Sequence, residues 1–162
     1  MLKLLMCAAV SIVSLLTATP NRAALERETF EVFVEIPTPD FYVLPVDPQL
    51  FHREQRLDYN PVSSQLSPLR AQFDVKNIGG AIGARLEEQP FLYNGSDRID
   101  LRVSFNRQEL SLDRSEVVST AEAKPGRRVP LEIVAIKPAD DYLPGNYYGT
   151  VRVVFDATAP GL

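Results

Sequence analysis

Apolar and polar residues alternate with a period of two along most of the chain after residue 24. The alternation is clearest in three segments, Phe30–Ile36, Leu69–Lys76 and Ile99–Phe105. It places apolar side chains on one face of a β-strand and polar side chains on the other. No stretch of a dozen residues keeps the apolar spacing of a helix, so the pattern predicts an all-β protein. Shorter segments are predicted as further strands: Phe41–Val46, Ile82–Leu86, Glu109–Leu112, Val129–Ile136 and Tyr147–Phe155.

Turn-forming pairs separate these predicted strands. They are Gly79-Gly80, Asn94-Gly95, Pro125-Gly126 and Pro144-Gly145, and glycine and proline are the residues that most often interrupt regular structure. Asn-Gly between two strands is also a strong local signal for a hairpin. Many short strands separated by such turns predict a β-sandwich of the immunoglobulin-like type.

The first 24 residues follow a different pattern. Lys3 supplies a positive charge, Leu4–Leu16 is apolar except for two serines, and Thr17–Ala24 is rich in small residues. This order is typical of a cleaved secretory signal peptide, here residues 1–24. The apolar run is about 13 residues long, whereas a membrane-spanning helix needs about 20. The only cysteine, Cys7, lies in this segment, so the exported chain is expected to fold without a disulfide.

The strand predicted at Phe30–Ile36 is joined to the following chain by a proline-rich connection. Pro37, Pro39, Pro45 and Pro48 follow it within a few residues, and proline lacks the N–H group that a central strand needs. A strand connected in this way could pair with another molecule, although it could also be an ordinary first strand of its own sandwich. We therefore treat residues 25–40 as an N-terminal extension with a hinge and residues 41–162 as the sandwich domain.

The composition argues against several classes of function. Without Lys3 and Arg22 the chain keeps 15 basic and 21 acidic residues, and it has no basic stripe that would hold nucleic acid. A single histidine, His52, leaves few means for metal binding or histidine-based catalysis. No Gly-x-Ser-x-Gly motif occurs, and the glycine-rich segment Gly79–Gly83 opens no helix that could bind a phosphate. The sequence therefore predicts neither an enzyme nor a metal or cofactor site.

Three segments together resemble a fimbrial family, the alternate chaperone–usher pilins. These are the alpha-type major subunits of coli-surface-antigen and colonisation-factor pili. The first segment is the strand Phe30–Ile36 with the hinge Pro37-Thr38-Pro39-Asp40 and the apolar strand after it. The second, Leu57-Asp58-Tyr59-Asn60-Pro61, is similar to a Leu-x-Tyr-x-Pro element of the family. The third is Pro144–Val151, which leads into a closing apolar strand. Their order and spacing cover residues 25–158.

The resemblance implies a structural fimbrial subunit whose immunoglobulin-like sandwich lacks its last strand. A periplasmic chaperone would fill the gap with a strand of its own during export. The N-terminal extension of the next identical subunit would then replace that strand at an outer-membrane usher, which is donor-strand exchange. The implied destination is a fimbria on the cell surface. A tip adhesin is left open as an additional partner, and nucleic acid is not expected.

The resemblance also assigns roles to particular residues. The donor strand would fill a neighbouring groove with its apolar face, formed by Phe30, Val32, Val34 and Ile36. The groove would be bordered by the C-terminal strand. The residues of that strand expected to face it share one parity, which means that they fall on the same face of the strand: Tyr147, Val151, Val153 and Phe155.

One alternative function is kept beside this interpretation. In it the chain is a non-polymeric exported binding module with an immunoglobulin-like fold, and Phe30–Ile36 pairs within its own sheet. The chain itself is not expected to be a tip adhesin. A tip adhesin needs a ligand domain besides the pilin domain, and the 138 residues after the signal peptide leave no room for both.

Overall fold

The computed structural model describes residues 40–157. The predicted signal peptide and the donor residues Phe30, Val32, Val34 and Ile36 lie outside the described residues. Among residues 40–157 there is no helical segment with the length and hydrophobicity of a membrane span.

Nearly all of the regular secondary structure in the described chain is β-strand, as the alternation predicts. Its two helical turns are short, a 3₁₀ turn at Pro48–Phe51 and the α-helix α1 at Thr120–Ala123. The strands in chain order are β1 (Phe41–Pro45), β2 (Tyr59–Asn60), β3 (Gln65–Leu66), β4 (Leu69–Asn77), β5 (Ile82–Leu86), β6 (Phe91–Tyr93), β7 (Arg98–Phe105), β8 (Gln108–Glu109), β9 (Ser115–Val118), β10 (Arg127–Ala135) and β11 (Val153–Ala157).

Two antiparallel sheets contain most of these strands. The large sheet has the order β1-β4-β10-β7-β6, with β8 paired to β7, and the small sheet has the order β11-β5-β9. A separate hairpin is formed by β2 and β3. Two sheets of this kind give the all-β sandwich that the sequence predicts, so the fold-class prediction is confirmed.

The core lies between the inward faces of the two sheets. In β4 and β7, buried apolar residues alternate with exposed polar ones, and this gives each strand one buried face. In strand β5, Ile82 and Ala84 are buried in the core, and Gly83 is buried on the opposite face because the Arg114 guanidinium lies over it. The largest fully buried side chains belong to both sheets: Phe105, Ile82, Val75, Val103, Val118 and Val129.

The turn signals fall where the sequence places them. Asn94-Gly95 lies in the β6–β7 hairpin, where the Asn94 Oδ1 accepts hydrogen bonds from the backbone N–H groups of Ser96 (2.8 Å) and Asp97 (2.7 Å). Gly79-Gly80 lies between β4 and β5, next to the buried side chain of Asn77, whose Nδ2 donates to the carbonyl of Ala81 at 2.7 Å. These side-chain hydrogen bonds close the turns without a disulfide.

Candidate functional site

An apolar groove with a volume of about 600 Å³ is open on the described molecule. One side is formed by β11 and the residues just before it, through Val151, Val153 and Phe155. The opposite side is formed by the 3₁₀ turn and the residues after it. The bottom is formed by apolar residues of the large sheet, namely Leu69, Phe73, Leu101, Leu131 and Ile133. The groove therefore reaches directly onto the core.

Strand β11 has one unpaired edge in the described structure, because β5 is its only strand neighbour there. The N–H of Glu87 donates to the carbonyl of Arg152 at 3.2 Å. Backbone groups of successive residues in an antiparallel pair alternate between facing the partner and facing away. The backbone groups of Val154 and Asp156 therefore face β5, and those of Val153 and Phe155 face the open side. That side is a template for one more strand.

The side chains of β11 divide between the two faces of its sheet. Val153 and Phe155 pack against the core, and the Phe155 ring centroid lies 4.7 Å from that of Phe105. On the other face, Asp156 pairs with the Nε of Arg114 at 2.6 Å, and Arg152 pairs with Glu88. Both ion pairs are exposed, so their contribution to stability is small. The face of β11 that meets the groove is thus apolar, and its outer face carries the charged Asp156.

The predicted groove residues do not all lie at the groove. Val151, Val153 and Phe155 line it. Tyr147 does not: its hydroxyl donates instead to the carbonyl of Leu143 at 3.0 Å. Desolvation raises the pKa of the Tyr147 phenol, and the Asp97 carboxylate adds a smaller effect in the same direction. Tyr147 thus belongs to the loop before the last strand.

The predicted strand Tyr147–Phe155 is interrupted because the chain changes sheets within it. Tyr148 pairs with Tyr93 of β6, in the large sheet, through N–H···O bonds of 2.8 and 3.0 Å. Five residues later Val153 begins its pairing with β5 in the small sheet. A Cβ atom on Gly149 would overlap the carbonyl oxygen of Phe91. Glycine is therefore required at the start of this crossing.

We expect Gly149→Ala to destabilise the protein by about 1–3 kcal/mol, because the added methyl group meets fixed backbone. Thermal unfolding followed by circular dichroism should show a melting temperature lower by about 4 °C or more. Gly79→Ala is the matched control, since its Cβ would make an ordinary contact of 3.5 Å with the side chain of Asn77. Equal melting temperatures for the wild type and Gly149→Ala would show that the crossing tolerates a side chain.

Sequence reasoning missed the second side of the groove. Leu50, Phe51 and Leu57 lie in a stretch without apolar periodicity, between β1 and β2. A local signal does exist in Asp47-Pro48, since Asp is a favoured helix N-cap and Pro a favoured first residue of a helix. The Oδ1 of Asp47 accepts the N–H of Gln49 at 2.9 Å, which begins the 3₁₀ turn.

Comparison with known proteins gives the family context of the chain. The family model for the CS1 type fimbrial major subunit matches residues 26–156. Among solved structures, the CooA pilin subunit from enterotoxigenic Escherichia coli matches with a TM-score of 0.62. That match covers 76% of this chain and 91% of the pilin, at 17% sequence identity, and it shows a shared fold. The search of curated proteins gives no match.

Proposed function

Because the chain belongs to the CS1 type fimbrial major subunit family and is a structural pilin subunit of a cell-surface fimbria, we propose that it polymerises by donor-strand exchange. The family prediction made from the sequence is confirmed. The family is structural rather than enzymatic. In the proposed joint, the segment Phe30–Ile36 of one subunit fills the groove beside β11 of the next.

The observation that supports this proposal is an apolar groove next to an unpaired strand edge. An added strand would continue the small sheet through its backbone and fill the groove through alternate side chains, as in other cases of strand addition. Phe30, Val32, Val34 and Ile36 supply those alternate side chains. The backbone N–H and C=O groups of Val153 and Phe155 would pair with the added strand.

The proposed donor segment is as long as one strand of the sandwich. The eight residues 29–36 extend about 26 Å at ~3.3 Å per residue, which is roughly the length of one sandwich strand. Four buried apolar side chains at about 1.5–3 kcal/mol each give a gross stabilisation of about 6–12 kcal/mol. This is comparable with the stability of a whole domain. A filled groove would therefore make a durable joint.

An unfilled groove would create the need for a chaperone and an usher. An unpaired apolar edge is liable to aggregate with other edges. A periplasmic chaperone that inserts its own strand would protect the groove during export. The usher would be the site at which the donor strand of the next subunit displaces it. The signal peptide of residues 1–24 would bring the subunit to the periplasm.

We expect Val34→Arg to prevent polymerisation and Glu35→Arg to be tolerated. The first substitution would place a charge in an apolar groove, which costs several kcal/mol, whereas Glu35 alternates with the apolar positions in the sequence and would face away from the groove. The measurement is the ladder of heat-sensitive multimers on gels of surface material. Long multimers from the Val34→Arg subunit would contradict the proposed function.

A further inference from the structure

The two ends of the groove differ in chemistry. At one end three aromatic rings lie close together: the centroid of Phe73 is 6.2 Å from that of Phe51 and 6.5 Å from that of Phe155. The other end, near the sheet crossing, is aliphatic and contains Leu92, Leu101 and Val151. A strand that enters the groove would therefore meet an aromatic end and an aliphatic end.

Phe51 is the most exposed of the three aromatic residues, with 70% of its surface accessible. Its turn is nevertheless held in place by polar contacts. The Asp47 carboxylate accepts hydrogen bonds from the N–H of Gln49 (2.9 Å) and from Arg53 (2.8 Å), and the Gln55 side chain donates to the carbonyl of Leu50 at 3.1 Å. A large aromatic side chain on a preorganised support is well suited to bury surface against a partner.

The apolar face of the segment Phe30–Ile36 likewise has an aromatic end and an aliphatic end. Phe30 is its one aromatic residue and stands at its beginning, and the later positions are aliphatic. An antiparallel strand beside β11 would place Phe30 near Phe155 and Ile36 near Val151. A parallel strand would bring Phe30 to the aliphatic end. The small sheet is antiparallel throughout, and antiparallel pairing is slightly more stable per residue.

We propose that the 3₁₀ turn Pro48–Phe51 is a clamp that closes the aromatic end of the groove over Phe30 of a second copy of this chain. This inference rests on the proposed function. Phe51 makes the contact, and Asp47 is the positioning residue that holds the turn. The clamp selects an aromatic residue at the start of the donor strand.

A double-mutant cycle on assembled fimbriae tests the clamp. Phe51→Ala, Phe30→Ala and the double variant are made in the full chain, so that each joint carries the substitutions. The rate at which multimers dissociate is measured in detergent at a fixed elevated temperature. Phe51→Ala should speed dissociation about tenfold, because most of the lost contact would be with the donor strand. Val62→Ala is the control, since Val62 is 94% exposed in the β2–β3 hairpin away from the groove.

The double variant separates a direct contact from two independent effects. If Phe51 contacts Phe30, the double variant should dissociate about two- to twelvefold more slowly than the rate obtained by multiplying the two single-variant rate increases. This factor corresponds to the interaction energy of an aromatic pair. A rate equal to that product would overturn the contact. Coupling of Phe51→Ala to Ile36→Ala instead would overturn the placement of Phe30 under Phe51. If neither Phe30→Ala nor Ile36→Ala changes the joint, the proposed function itself fails, and this outcome differs from failure of the clamp.

Variants of Asp47 test the positioning of the turn. Asp47→Ala removes the acceptor for the N–H of Gln49, whereas Asn is also a good N-cap and keeps that acceptor. Dissociation should be several-fold faster for Asp47→Ala and close to the wild-type rate for Asp47→Asn. Equal rates for wild type and Asp47→Ala would show that the turn needs no such support.

Discussion

Deletion of residues 25–36, with signal-peptide cleavage preserved, should abolish polymerisation and leave chaperone capture intact. The physical reason is that the groove is built from residues 50–155, and each of its lining residues lies outside the deleted segment. The truncated subunit keeps its acceptor groove and loses the strand that would fill the next one. Multimer ladders on gels and co-purification with the chaperone measure the two effects separately.

A peptide provides the control for this deletion. The truncated subunit should bind an added peptide of residues 29–36, because its own groove is intact, yet it should not extend a chain. Long polymers built by the truncated subunit would refute donor-strand exchange through this segment. A non-polymeric immunoglobulin-like module would then be the better explanation for the groove.

The alternation predicted the long strands well because their two faces differ in burial. The predicted bounds of Ile82–Leu86 agree with β5, and those of Ile99–Phe105 agree with β7 to within one residue. Strands β6 and β9 were not predicted, since three or four residues are too few to show a period. Their pairing depends on neighbours that are distant in sequence, and no local pattern records those neighbours.

The groove was only half predictable for a related reason. The parity of Val151, Val153 and Phe155 gives the side formed by β11. The side formed by Leu50 and Phe51 belongs to a 3₁₀ turn, which has no apolar repeat. Tyr147 shares the parity of Phe155 and still lies outside the groove, because parity persists only within one unbroken strand. The change of sheet at Gly149 breaks that continuity.

The face of β11 that meets the groove should be far more sensitive to charge than its outer face. We expect Val153→Asp to abolish both chaperone capture and polymerisation. Val153 lines the groove and packs against the core. An inserted strand would therefore bury the new carboxylate and leave it without an ion-pair or hydrogen-bond partner. An unpaired buried charge costs several kcal/mol, which is a large part of what the joint is proposed to gain.

Val154→Asp is the matched control in the same strand. Val154 lies on the outer face directly opposite Arg85 of β5, where a carboxylate can find a cationic neighbour across the strands. This variant should still be captured by the chaperone and should still form multimers. Val153→Ala should weaken both activities to an intermediate extent, because it shortens the apolar contact without adding a charge. Equal loss in Val153→Asp and Val154→Asp would mean that strand β11 does not present its inward face to the inserted strand, and the groove would then have to be placed elsewhere on the sandwich.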